Sequence, residues 1–499
     1  MLVEVTLFLV VLGAFFVRWL LRDFHFWAEQ GVPSLSPQFP FGNIGDVITM
    51  RKTTGECYRD IYRQFKGEAA CGFFKFSQPA LILRDPDLVR TIMVKDFLKF
   101  HKNEFEISRS VDPLMAINPF TIGELNEWKR ARTIQLPAQT LSKVRTMAPE
   151  MVRCCHRLTD FIRAHAGKEM EAKTLTSGYT SDTVAACAFG LNSNSFVEGG
   201  SAFNDVSAGE IFRSTWKDNL AVLCAMFAPF VGRLMRFRII SKDVEELFIK
   251  AIGDVVKFRQ TRNVRKNDFI QQMIDANASD PSGKPAFDEV EMAAHSMTFY
   301  MDGYETTSIL LSFTLYELAK NQDIQQQLRD EISTISSDIG DFNANNIHTL
   351  EYLDNVLSEC LRLHPPIQQV VRTCTSDTTV TCGGKEYKFR AGMTAVVPIL
   401  ALHTDPEHFP EPELFRPERF AKENKHLIRK FTYIPYGEGP RICVGMRFAM
   451  TQIKLAVAAI LLEFHVVLAK ELTEDLKLDP MSTFLHTAKD GLWLKFEEL

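Results

Sequence analysis

Apolar positions along the chain recur mainly with helical spacing, and strand-like alternation is confined to short pieces. Two helical stretches stand out. One is "GMRFAMTQIKLAVAAILLEF" (445–464), and the other runs from about Asp288 to Asn321. At 1.5 Å per residue the second would be about 50 Å long and would cross the whole molecule. Its centre, "MDGYETTS" (301–308), is polar between "SMTFY" and "ILLSFTL". Glycine and clustered hydroxyls weaken a helix there, which points to function rather than packing as their reason. Strands are expected at "ALILRD" (80–85), "TAVVPI" (394–399) and "GLWLKF" (491–496), and "NASDPSGKP" (277–285) is expected as a loop. The pattern predicts a mainly α fold with a smaller β-rich region, and no repeat or low-complexity tract divides residues 44–499.

The first residues differ from the rest. "LVEVTLFLVVLGAFFVRWLL" (2–21) carries charge only at Glu4 and Arg18, near its ends, and about 20 helical residues can cross a bilayer. A cleaved signal peptide would need a basic start and a small-residue cleavage site, and neither is present. Residues 1–22 therefore read as an uncleaved anchor. Arg18 and Arg22 after the apolar run direct the body, residues 44–499, to the cytoplasm. Residues 23–43 form the connection, where the proline-rich "GVPSLSPQFPFGN" (31–43) is expected as a stiff hinge.

Composition changes this picture little. Hydrophobic residues at 46% and charged residues at 24% describe a globular protein, and a net charge of −5 gives no support for a nucleic-acid partner. Ten cysteines at irregular spacings, Cys154 and Cys155 adjacent, suit neither a zinc pattern nor a disulfide framework.

One cysteine is set apart by its neighbours. "FTYIPYGEGPRICVG" (431–445) places glycines, prolines and an arginine around Cys443, just before a helix N-terminus. The positive end of that helix favours a thiolate over a thiol. In "LSECLRLHPP", Leu353, Val356, Leu357, Cys360 and Leu361 make an apolar helix face, with Glu359 and Arg362 able to pair on the other side. "NEWKRAR" puts Trp128 and Arg132 on one helix face. "HTDPEHFPEPELFRPERF" (403–420) is an extended, proline-studded segment with Arg419 near its end.

In this order and at these separations, the four stretches resemble cytochrome P450, the haem-thiolate monooxygenase family. The resemblance covers essentially the whole chain and is nearest to microsomal, insect detoxification-type members. It implies a haem b cofactor with Cys443 as axial iron ligand. Trp128, Arg132, Arg372 and Arg441 would hold the haem propionates. Glu359, Arg362 and Arg419 would form a buried structural triad. "GYETT" matches the oxygen-activation groove, with Glu305 and Thr306 as acid and alcohol, since dioxygen activation consumes protons. The substrate pocket would be built from 110–122, 367–371 and 481–485 with the long helix, including Thr298, Met301, Asp302, Ile367, Gln368, Val370 and Phe484. The implied reaction inserts one oxygen atom from O2 into a lipophilic small molecule, at the endoplasmic reticulum membrane with the catalytic domain facing the cytosol.

Electrons would come from NADPH through a reductase, with cytochrome b5 as a further donor, because the chain has neither a G-x-G-x-x-G in a strand–turn–helix context nor a phosphate-binding P-loop. Lys129, Arg130, Lys422, Lys425, Arg429 and Lys430 are candidates for a basic docking patch. A haem-thiolate isomerase or dehydratase and a non-catalytic haem-binding protein are the competing readings. Two residues depart from the family pattern. Tyr436 stands where phenylalanine is usual, and its hydroxyl needs a partner if buried. Asp302 stands where alanine or glycine is usual. In a related branch a glutamate at this place becomes ester-linked to haem, so Asp302 is expected to tether haem, to anchor a polar or basic substrate, or to rest on nearby hydroxyls or water.

Overall fold

The computed structural model describes residues 22–197, 215–279, 286–469 and 476–499, together with positions 6 and 18. The proposed anchor at 2–21 thus lies almost wholly outside the described residues. Among those described, no helix is long and apolar enough to cross a membrane.

Five helices build the site and are labelled in chain order: α1 (Leu125–Gln135), α2 (Ala172–Val184), α3 (Glu289–Lys320), α4 (Glu351–Leu363) and α5 (Met446–Glu463). The helix expected from Asp288 to Asn321 is α3. Asp288 caps it in a reciprocal box with Glu291, and Asn321 ends it, so polar side chains at both ends satisfy the loose backbone groups. The expected loop at 277–285 begins later than its composition suggests, because the helix Phe269–Ser279 continues through Asn277, whose amide brackets Phe287 from both sides.

α3 is continuous through its polar centre, and packing explains much of that polarity. Gly303 lets α2 come close: a Cβ there would stand 3.1 Å from Val184 Cγ2. Gln452 of α5 donates to the Gly303 carbonyl (3.3 Å) and to Thr307 Oγ1 (3.1 Å). Toward α2, Lys173 Nζ donates to Glu305 Oε2 (2.9 Å) and Thr176 Oγ1 to the Ser308 carbonyl (2.9 Å). Only Asp302 and Thr306, one turn apart, are left for another purpose. The expectation that function alone accounts for 301–308 is corrected accordingly.

The strands are β1 (Ala70–Lys75), β2 (Gln78–Leu83), β3 (Lys102–Asn103), β4 (Met170–Glu171), β5 (Val370–Thr373), β6 (Thr378–Cys382), β7 (Lys385–Phe389), β8 (Thr394–Val397), β9 (Phe464–Leu468) and β10 (Trp493–Glu498). The main sheet has the order β1-β2-β8-β5-β3, in which only β2 and β8 run parallel. A second sheet orders β4-β10-β9, and β6 pairs with β7. One core gathers α2 to α5; another lies under the main sheet. Residues 31–43, expected as a stiff hinge, lie against the main sheet. Gly72 N–H donates to the Pro33 carbonyl (2.8 Å) and Asn43 N–H to the Phe74 carbonyl (2.7 Å), pinning the segment along β1.

Candidate active site

Eight of the ten cysteines are buried and Cys382 is half-buried, while Cys443 alone is exposed. Its loop turns through Gly437 and Gly439, both at positive φ; at Gly439 a Cβ would collide with the Met93 carbonyl at 2.3 Å. The Cys443 N–H closes the loop onto the Tyr436 carbonyl at 2.9 Å. α5 starts three residues later, and the Gly445 and Met446 N–H groups favour the thiolate, as does Arg132. Burial nevertheless outweighs them and pushes the Cys443 thiol up to about 11, with Asp302 adding to the rise. The helix end favours the thiolate, in the direction the sequence suggests, but does not by itself ionise this sulfur. Protein surrounds the thiol, so its exposed face looks into an interior cleft. Tyr436 lies half-buried beside it, and its buried hydroxyl has no partner among the described residues.

Three cations gather at this cleft. Arg132 Nη2 donates to the Ile442 carbonyl (2.6 Å), and Arg441 donates to the Pro119 (2.8 Å) and Ile122 (3.0 Å) carbonyls. Arg372 reaches Asn103, its register partner across β5 and β3. Trp128, buried on α1, lies under Arg441 at 4.6 Å and Arg132 at 5.8 Å. Burial lowers Arg372 to about 10; burial and then the two like charges lower Arg441 to about 9. The Nε atoms of Arg372 and Arg441 are buried without a protein partner among the described residues. Uncompensated guanidiniums of this kind call for a polyvalent anion with planar oxygen pairs. A haem fits the donor set: its two propionates match the arginines and its iron matches the exposed cysteine sulfur.

Glu359 and Arg362 are fully buried on α4, bidentate at 2.7 and 2.8 Å, and Arg419 Nε reaches Glu359 Oε1 at 3.2 Å. Arg362 also donates to the carbonyls of His403, Pro412 and Leu414, which fastens the 403–420 segment. His403 Nε2 in turn accepts the Ile434 N–H, and Tyr433 donates to the Ser358 carbonyl on α4. The ion pair thereby supports the base of the cysteine loop.

Opposite the cysteine loop, Asp302 is accessible and Thr306 half-buried. The Thr306 hydroxyl donates to the Asp302 carbonyl at 2.8 Å. Glu305 is not turned toward the cleft; it is held by Lys173. Ile367, Val370 and Phe484 line a cavity with Phe105, Phe120 and Gln369. Gln368 does not line it: fully buried, it accepts from Thr53 (2.7 Å) and donates to the Leu485 carbonyl (2.9 Å), so the neighbouring glutamine takes the expected position. Thr298 and Met301 are buried on α3, outside that lining. Sequence reading missed Lys173 and Phe105, neither of which sits in a recognisable motif.

The family model described as Cytochrome P450 matches residues 33–494. The chain belongs to the cytochrome P450 family. It is 33% identical over 478 residues to cytochrome P450 6j1 of Blattella germanica, covering 95% of this chain and 94% of that one. It is 31% identical over 486 residues to probable cytochrome P450 6a13 of Drosophila melanogaster, covering 97% and 96%. As a P450 it is an oxidoreductase of the haem-thiolate monooxygenase type, related to insect members, and the family implies a haem with a cysteine thiolate ligand. Of the basic positions suggested for docking on this P450, Arg130 meets Glu291 (3.3 Å), Lys422 meets Glu351 and Arg429 meets Asp87 (3.2 Å), which partly neutralises the patch.

Proposed function

We propose that this P450 inserts one oxygen atom from O2 into a lipophilic small molecule, with electrons passed from NADPH by a membrane-bound reductase and with cytochrome b5 as a further donor. The observation that carries the reading is the joint one at the cleft: three arginines with no carboxylate partner among the described residues, beside an accessible cysteine, and a cavity walled by Phe105, Phe120 and Phe484. Haem, when bound, supplies the redox centre that activates dioxygen. Cys443 would be its axial ligand, and Trp128, Arg132, Arg372 and Arg441 would bind its propionates. The phenylalanines would exclude water and bury the substrate.

Thr306 is the proton-handling alcohol in this reading. Its hydroxyl already donates to the Asp302 carbonyl, which leaves its lone pairs to accept from water in the cleft. Glu305 would act from behind, through its contact with Lys173, rather than as an acid facing the substrate. Residues 1–22 would anchor the protein in the endoplasmic reticulum with the catalytic body in the cytosol.

Reconstitution with reductase tests this directly. NADPH consumption and product mass are measured across a panel of lipophilic compounds, and at least one product should carry a single added oxygen atom. In Thr306→Ala the product formed per NADPH should fall on the order of 10²-fold. No oxygenated product from a haem-loaded wild-type protein would refute the reading.

A further inference from the structure

The wall of the aromatic cavity has more free acceptors than free donors. It is apolar apart from Asn103, Glu104 and Gln369, and its volume of about 30 Å³ takes about two water-sized groups. Asn103 is fully used: its amide donates to the Phe120 carbonyl (2.8 Å), and its side-chain oxygen accepts from Arg372. The other two are not.

Glu104 directly follows β3 and its side chain is 8% exposed. Lys75 of β1, 3% exposed, donates to Glu104 Oε1, while Oε2 is buried without a partner among the described residues. That lysine is itself enclosed, its Nζ lying 5.6, 5.8 and 5.7 Å from the ring centroids of Tyr58, Phe73 and Phe227. Gln369 cannot turn its amide round. The Thr54 hydroxyl donates to the Thr483 carbonyl (3.1 Å) and so accepts from Gln369 Nε2. Gln369 Oε1 is thereby left as a second buried oxygen without a partner among the described residues. Buried acceptors in an apolar wall are costly until donors meet them. A protonated amine would add a net charge there, because Lys75 already balances Glu104, whereas hydroxyl or amide hydrogens would not.

We propose that Glu104 and Gln369 are specificity-determining acceptors for uncharged lipophilic molecules whose polar end carries two hydrogen-bond donors, as a diol does. Each free oxygen would take one O–H, with the apolar remainder against Phe105, Phe120 and Phe484. The inference rests on the oxygenase reading, because it names the substrate class of that pocket.

Equilibrium dialysis of the haem-loaded, full-length protein tests it. The probes are decane-1,2-diol and its isomer 1,2-dimethoxyoctane, which keeps both oxygens but donates nothing. Wild-type protein should bind the diol more tightly. Gln369→Leu should lower the ratio of diol to diether affinity about threefold or more, as loss of one neutral hydrogen bond requires. The double variant Lys75→Met with Glu104→Leu removes the charged acceptor without stranding its lysine, and should lower the ratio about tenfold or more. Gln369→Leu keeps the test readable if the double variant retains haem poorly. An unchanged ratio in either haem-loaded variant, or equal loss of both probes, overturns the proposal and leaves the two oxygens to ordered water alone. The oxygenase reading fails by a different measurement: no product and no NADPH consumption with any lipophile and wild-type protein.

Discussion

At the scale of single residues, the site is governed by charges that protein alone leaves unbalanced. The Cys443 thiol is raised to about 11 by burial, so replacing its proton with a metal cation is what would make it a lasting anion. The Arg372 and Arg441 guanidiniums are lowered for the opposite-sign reason, burial without an anion. Arg441→Ala should therefore weaken haem retention about tenfold or more, measured as haem per protein after gel filtration, because one charged hydrogen-bonding group is lost. These residues were legible in the sequence because cysteine, glycine, tryptophan and arginine have few interchangeable roles. The segments holding Asn118 and Gln369 were expected at the pocket, but their orientation was not legible, since an amide in an apolar stretch gives no sign of which way it points. Gln368 shows the limit: two adjacent glutamines face opposite ways, and only the backbone decides which one reaches the cavity.

At the scale of elements, α3 and α4 use their polar positions differently. α3 distributes its central residues among three neighbours, so its polarity is divided between helix contacts and the cleft. Sequence spacing showed the helix and its ends but not this division, which depends on where Gln452 and Lys173 arrive from distant segments. α4 keeps an ion pair in a fully buried place, where its value lies in the chain segments it fastens. Glu359→Ala would leave Arg362 buried without its partner and should cost about 3–5 kcal/mol of stability, measured by denaturant unfolding. Haem retention should fall with it, although Glu359 is not among the residues at the cleft. Full stability in that variant would show that the 403–420 segment needs no such clasp.

At the scale of the whole molecule, the mainly α character and the long helix α3 were readable, whereas most of the strands and the N-terminal boundary were not. The proline-rich stretch at 31–43 looked like a spacer, yet its backbone hydrogen bonds make it part of the main sheet's edge. The anchor is tested by removing residues 1–22: the truncated protein should be released from membranes by an alkaline wash, whereas the full chain should require detergent. The same truncation should leave haem binding intact, because every residue assigned to the cleft and its cavity lies beyond residue 100. The most direct test of the central claim, that Cys443 ligates haem iron as a thiolate, is the absorption spectrum of the reduced, haem-loaded protein under carbon monoxide. A thiolate-shifted Soret band that disappears in Cys443→Ser is the expected result. An unshifted band in the folded wild-type protein, or a shifted band that survives the substitution, would contradict it.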